Sequence, residues 1–405
     1  MPVHQQRKHT GSMKPPSPKI IFFISVDWFF CSHFIERAVA TQKAGYQVLI
    51  LCDVDRHGAA IESAGLRVIP VPLDRRSLNP FAALITLARI FRIYRSEKPA
   101  LVHQVALKPI LLGSVASWLA GIPSTLNAVV GGGYLFNSTS ILIKTIRPFL
   151  IHSLGFLLKR RGNWTVFENA DDLKDFTRDG LASEAKSALI RGAGVDPDRY
   201  RTSTLSAAPP VVVVTARLLW DKGIGEFVEA ARMLRAQGVN ARFAVVGGTD
   251  PGNRASIDEA TLAGWRKEGI VEFHGYRNDV PDILAQASIA CLPSYREGLP
   301  KALLEAMAAG LPCVTTDVPG CREAVRHGDN GLLVPARDPR ALADALSILL
   351  GDQGMQKRMG ERGRERIDTE FSSALVVEQT LALYEQMLGI PRPVVTDAPP
   401  HASKD

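Results

Sequence analysis

The chain has 405 residues, of which 46% are hydrophobic and 22% charged, and its formal net charge is +7. This balance excludes an intrinsically disordered chain, and the length suits two ordinary domains. The modest positive charge fits a binder of nucleotide diphosphates or of an anionic membrane surface. No aromatic platform or nucleic-acid-binding motif accompanies it, so nucleic acid is not expected as a partner.

Residues 1–18 are polar and Pro-rich and read as a disordered tail. The IIFFI run that follows is too short for a secretory signal and reads as a first strand. Parallel strands are expected at Ile20–Val26, Val48–Cys52, Val68–Pro70, Leu101–Gln104, Thr125–Val129 and Thr165–Glu168. Helices between them include about His33–Ala44, Phe81–Ser96 and Leu111–Ala120. This alternation predicts one doubly wound α/β domain over residues 19–203. Ser140–Asn163 is strongly apolar but carries Lys144, Arg147, His152, Lys159, Arg160 and Arg161. It reads as a basic amphipathic segment lying on a membrane surface, with a buried helix pair broken at Pro148 as the alternative.

After a Gly/Asp/Pro-rich stretch at Ile190–Tyr200 and a linker, a second alternation begins. Its strands are expected at Val211–Thr215, Ala241–Val246, Val271–Phe273, Ile289–Leu292, Leu311–Thr316 and Gly331–Val334, within a second α/β domain over residues 204–371. The tail at 391–405 reads as disordered. Five scattered cysteines, Cys31, Cys52, Cys291, Cys313 and Cys321, predict reduced thiols in a cytosolic protein.

Chemistry concentrates in the second half. Arg217 and Lys222 follow an apolar strand, in the loop that opens a helix, and two cations so placed suit a pyrophosphate. Glu297 lies in a later loop, with Gly298, Leu299 and Pro300 at the start of the helix that contains Glu305. Pro300 suits the first helical position, and Gly310 suits the position just past the end. Free N–H groups at that start can hold a phosphate, and Glu305 can reach a ribose diol. Gly247 lies in a turn expected to border the base, where Gly248 stands and Asp250 follows. In the first half, His103 is read at a strand's carboxyl end, where its ring could meet a ligand. Lys108 just after it suits a phosphate. Asp27 follows the first strand, and Gly131–Gly133 with Tyr134 allow close backbone approach to a ligand. Two Asp-x-Asp pairs, Asp53/Asp55 and Asp196/Asp198, read as a polar loop and a turn. Asp171–Asp172 reads as a helix start. No metal or cofactor is expected.

The Arg217…Lys222 and Glu297…Glu305 pattern resembles the retaining, GT-B fold glycosyltransferases of family 4, over about Lys19 to Leu388. Val26–Phe34, Val102–Phe136 and Val166–Phe176 are similar to a CapM-like branch acting on lipid-linked saccharides. The resemblance implies two Rossmann-like domains facing across a cleft. The first would bind acceptor and the second donor, and a final helix at about 372–388 would cross back. It implies catalytic roles for Glu297, His103, Arg217 and Lys222. Arg217, Lys222, Gly247, Gly298, Leu299, Pro300 and Glu305 would bind donor; Asp27, Lys108, Gly132 and Tyr134 would bind acceptor. The expected reaction moves a sugar from a UDP-activated donor to a polyprenyl-diphosphate-linked saccharide, with retention and without metal, at the inner face of the cell membrane. A nucleotide-sugar epimerase and an inactive scaffold subunit are the alternatives. A dehydrogenase is excluded because Ser25–Phe30 holds no glycine.

Overall fold

The computed structural model describes residues 17–393, apart from 75, 76, 78, 131–140, 201–208 and 251. Gly132 and Tyr134, the tails at 1–16 and 394–405, and most of the linker lie outside the described residues.

The first lobe runs β1 (Lys19–Val26), α1 (Asp27–His33), α2 (Ile35–Lys43), β2 (Gln47–Asp53), α3 (Gly58–Ser63), β3 (Arg67–Pro70), α4 (Pro80–Glu97) and β4 (Leu101–Val105). It continues with α5 (Leu107–Ala120), β5 (Ser124–Val129), α6 (Ile141–Leu158), β6 (Asn163–Phe167), α7 (Ala170–Arg178) and β7 (Ser187–Leu189). Its strands form one parallel sheet in the order β3-β2-β1-β4-β5-β6-β7. The runs IIFFI and LVHQV are buried along their length, as strands covered by helices on both faces must be.

The second lobe runs β8 (Val211–Thr215), α8 (Ile224–Ala236), β9 (Arg242–Val246), α9 (Glu259–Glu268), β10 (Val271–Phe273), α10 (Val280–Ala285), β11 (Ile289–Leu292) and α11 (Lys301–Ala308). There follow β12 (Cys313–Thr316), α12 (Cys321–Ala324), β13 (Gly331–Val334), α13 (Pro339–Gly351) and α14 (Gln353–Arg366). The sheet order is β10-β9-β8-β11-β12-β13, again parallel. Each order reverses direction beside the first strand of its lobe, and at such switch points the carboxyl ends of the strands open a crevice.

After α14 the chain makes a π-helical turn at Ile367–Phe371 and enters α15 (Ser373–Leu388). This helix leaves the second lobe and packs on α2, placing Val376, Leu381, Leu383 and Tyr384 in the first lobe's core.

Four local details differ from the sequence reading. The helix expected at His33–Ala44 is two helices, α1 and α2, broken at Phe34. Pro300 is the N-cap of α11 rather than its first helical residue. The half-buried edge strand β7 has no apolar run to announce it. Ile141–Leu158 is a single helix that continues through Pro148, so the alternative of a pair broken there does not form. Among the described residues no helix is long and apolar enough to cross a membrane.

Candidate active site

Three cations lie at the carboxyl ends of the second lobe's strands, each paired with a carboxylate. Arg217, two residues past β8, donates from Nη1 to Asp250 Oδ2 at 2.5 Å. Lys222, in a one-turn helix before α8, pairs with Glu297 in the loop after β11. Ser294 Oγ also donates to that Glu297 oxygen, at 2.7 Å. Lys301, the first residue of α11, pairs with Glu305 one turn on, at 2.5 Å. The Tyr200 hydroxyl also bonds Glu305, and burial together with that carboxylate pushes the phenol pKa upward.

The backbone makes these approaches available. Gly247 follows β9 with φ +157, and a Cβ there would lie 1.8 Å from Ala216 O, so only glycine lets the turn pass beside Arg217. Gly320 has φ +80 and crosses beneath the Glu297 loop, where a Cβ would meet Gly298 O at 2.3 Å. The loop Glu297–Pro300 is therefore supported from below and ends on the free N–H groups that open α11.

The first lobe closes over this row. The Arg217 guanidinium lies 5.3 Å from the Trp28 ring centroid. Asn169 caps α7 and donates from Nδ2 to Gly298 O at 2.8 Å. Arg296 bonds Asp172 at 2.8 Å and Arg191 bonds Glu323 at 2.7 Å, both across the lobes. Between the lobes lies a polar cavity of about 190 Å³ lined by His33, Glu36, Asp196, Arg199, Tyr200 and Lys301, among others.

Two titratable groups that the sequence reading missed face this region. His33, the last residue of α1, stacks on Phe29 at 4.3 Å. Burial first, then the charge of Lys301 and, more weakly, Lys222 and Arg217, hold its pKa down to about 3, so the ring is neutral at physiological pH. Burial pushes the Glu168 carboxyl up to about 8. Asp172 and Glu297 add to that rise, while Arg37 and the Leu299 N–H oppose it. Lys301 was missed although it adjoins Pro300. Glu168 directly follows β6 and Lys301 opens α11, a signal that could have found both, whereas His33 at the end of α1 carries no such mark.

The first-lobe residues read from sequence are placed differently. His103 is the middle residue of β4, fully buried. Its Nδ1 is 2.7 Å from the Tyr384 hydroxyl of α15, and its ring packs against Phe22 and Phe34. Burial drives its pKa well below the ordinary value. In this arrangement it ties the returning helix to the sheet and does not line the cleft. Lys108 Nζ donates to the carbonyls of Asp74 and Ser77, where it fastens the loop before α4. Asp27 is buried, and its carboxylate accepts from the N–H groups of Trp28, Asp55 and His57. Burial opposes that charge, but these donors outweigh it and hold the pKa below the ordinary value. Asp27 therefore anchors the loop after β2.

Of the two Asp-x-Asp pairs, Asp196 caps the turn at Pro197–Arg199 and Asp55 holds Arg56. Among the described residues no group of three His, Cys, Asp or Glu side chains is placed to hold a metal ion. Chemically, the three cations and the amides of the α11 start can balance a diphosphate, and the carboxylates can accept from hydroxyls.

The same two-lobed arrangement occurs in solved structures. The HepE protein of Anabaena in complex with UDP and glucose superposes with a TM-score of 0.75 at 18% identity, covering 91% of this chain and 100% of that one. WaaG, a glycosyltransferase involved in lipopolysaccharide biosynthesis, superposes with a TM-score of 0.69 at 18% identity, over 90% of this chain and 99% of that one. The fold is that of the GT-B glycosyltransferases.

A family model described as Glycosyl transferase 4-like matches residues 19–153, and one described as Glycosyl transferases group 1 matches residues 209–352. The first lobe thus carries a glycosyl transferase 4-like domain and the second a group 1 glycosyl transferase domain, and the chain is a glycosyltransferase. Among its relatives is the N,N'-diacetylbacillosaminyl-diphospho-undecaprenol alpha-1,3-N-acetylgalactosaminyltransferase of Campylobacter jejuni, 26% identical over 84% of this chain and 92% of that protein. The capsular polysaccharide biosynthesis glycosyltransferase CapM of Staphylococcus aureus is 23% identical over 79% and 85%. The UDP-Gal:alpha-D-GlcNAc-diphosphoundecaprenol alpha-1,3-galactosyltransferase of Escherichia coli is 25% identical over 80% and 84%.

Proposed function

We propose that this enzyme transfers a hexose or N-acetylhexosamine from a UDP-activated donor to a polyprenyl-diphosphate-linked saccharide, retaining anomeric configuration and without a metal ion. The observation that carries the proposal is the row of three cation–carboxylate pairs, Arg217–Asp250, Lys222–Glu297 and Lys301–Glu305, at the helix start beside Gly298 and Leu299. The relatives that name lipid-diphosphate acceptors and a UDP donor support the substrate class.

The second lobe (204–371) holds the donor in this reading, and the first lobe (19–203) with α15 holds the acceptor. Arg217, Lys222 and the Gly298–Leu299 amides meet the charge that develops on the leaving diphosphate. Glu305 holds the ribose diol, and Glu297 faces the transferred sugar, where positive charge develops. Gly247 gives the base room. His33 replaces His103 as the imidazole nearest the reacting groups. The enzyme works on the inner face of the cell membrane, held peripherally by α6, whose exposed Phe149 and Phe156 alternate with basic residues.

The deciding experiment measures nucleotide release from UDP-, GDP- and ADP-sugars, with and without lipid-linked acceptors extracted from membranes. UDP release that depends on the extract is the expected result, and Glu297→Gln should lower it at least a hundredfold in a folded protein. Isomerised sugar without acceptor would assign an epimerase instead. Wild-type rates in Glu297→Gln would remove that residue from the reaction.

A further inference from the structure

The three site cations Arg217, Lys222 and Lys301 are each paired with a carboxylate, but the cations at the end of α6 are not. Among the described residues Lys159, Arg160 and Arg161 make no ion pair. They sit beside an open groove of about 680 Å³ between the second half of α6 and the turn after α7. Pro148, Ile151, Phe156 and Leu181 supply apolar walls, and Lys159 and Arg160 stand among the lining residues. The acid that also lines it, Asp179, is engaged by Arg178 at 3.0 Å.

The surroundings are apolar and uncovered. Phe149 and Phe156, seven residues apart on one face of α6, are 73% and 55% exposed. On the neighbouring helix α5, Trp118 and Leu119 are 52% and 56% exposed. The Arg160 guanidinium lies 4.5 Å from the Trp118 ring, so a cation is fixed at the edge of the apolar surface. Aromatic side chains interleaved with cations that have no carboxylate partner match an amphiphile whose head is anionic and whose tail is hydrocarbon.

We propose that this groove is a binding site for one anionic phospholipid, with Lys159 and Arg160 on its headgroup phosphate and its acyl chain along Ile151, Phe156 and Leu181. The inference rests on the peripheral-membrane reading above and makes it specific: the protein selects negatively charged lipid at this site, separately from any acceptor.

The test is co-sedimentation of the full chain with vesicles of phosphatidylcholine alone and of an equal mixture with phosphatidylglycerol. Each cation at an anionic surface contributes a factor of about 5 in affinity, so Lys159→Gln with Arg160→Gln should bind the mixed vesicles about 25-fold more weakly. The same loss of charge on the other lobe, Lys267→Gln with Lys357→Gln, should leave most of the preference. Binding to the mixed vesicles should persist in excess glycerol 3-phosphate, since the tail contributes. Circular dichroism and the thermal midpoint confirm that each variant is folded. Equal binding of the wild type to both vesicles overturns the groove while leaving membrane association standing. An equal loss in the control pair, or no loss in the groove pair, likewise overturns the groove. Displacement by glycerol 3-phosphate would show a plain phosphate site and overturn the lipid assignment. Failure to bind either vesicle overturns the membrane reading and this inference with it.

Discussion

Lys222 and Glu297 are 20% and 12% exposed and share one ion pair, so charge and burial are coupled at this point of the cleft. Removing the lysine leaves a largely buried carboxylate uncompensated, and such a change disturbs folding as well as chemistry. Glu297→Gln is the cleaner probe because its amide oxygen can still accept from Lys222 and from Ser294. Glu168 offers a test of the cleft's electrostatics. Its folded-state pKa of about 8 lies above the ordinary 4.5, so the folded protein holds the proton more tightly than the unfolded chain does. The stability this provides is present below about pH 4.5 and is lost as the pH rises to about 8. Glu168→Gln should therefore flatten the fall in thermal midpoint across that window and be the more stable protein at pH 8. Parallel pH profiles for the two proteins would show that Glu168 titrates normally. The residue types at Arg217, Lys222, Glu297 and Glu305 were legible in the sequence because each lies next to a strand or a helix start. Their pairing was not, since Asp250 and Arg217 meet only when the β8 and β9 loops lie side by side.

At the scale of elements, the start of α11 depends on a crossing backbone. Gly320 passes beneath the loop at 2.3 Å in terms of the Cβ it lacks, and Gly238 has nearly the same φ, +79 against +80, with nothing within 4 Å. The two glycines therefore separate conformational strain from collision. Gly238→Ala should cost only about 1–2 kcal/mol from its left-handed backbone and leave UDP affinity unchanged. Gly320→Ala should add displacement of Glu297 and Gly298 and weaken UDP at least tenfold, measured by titration calorimetry. Equal affinities in the two variants would mean that the crossing does not position the loop. Strand runs such as IIFFI and VVVVT were readable because a parallel sheet covered on both faces demands continuous apolar sequence. The break between α1 and α2 was not readable. Phe34 there is held by core contacts, including its ring against His103, and no glycine or proline marks the bend.

Across the whole molecule, the lobes are joined twice at nearly one place. Val195 in the connecting stretch forms a parallel bridge with Ser372 at the head of α15. From there α15 returns to the first lobe, and Tyr384 meets His103 across 281 residues of sequence. Tyr384→Phe would leave the buried His103 Nδ1 without its partner, at a cost of about 1–3 kcal/mol. Urea denaturation should register that loss as a lower midpoint, and an unchanged midpoint would show that the bond contributes nothing to holding the helix.

The family resemblance supplied the returning last helix, while the sequence alone determined the alternation of strands and helices and the acids and cations in the loops beyond β8 and β11. These follow from local periodicity and from residue types at element ends. Only the tertiary structure decided that His103 is a core residue while His33 faces the cleft. It also decided that Asp27 and Lys108 fasten loops, and that Lys301 and Glu168 join the site. Burial and partner choice are set by chains that meet from distant parts of the sequence, and a pattern read along one strand carries no record of what packs against its other side.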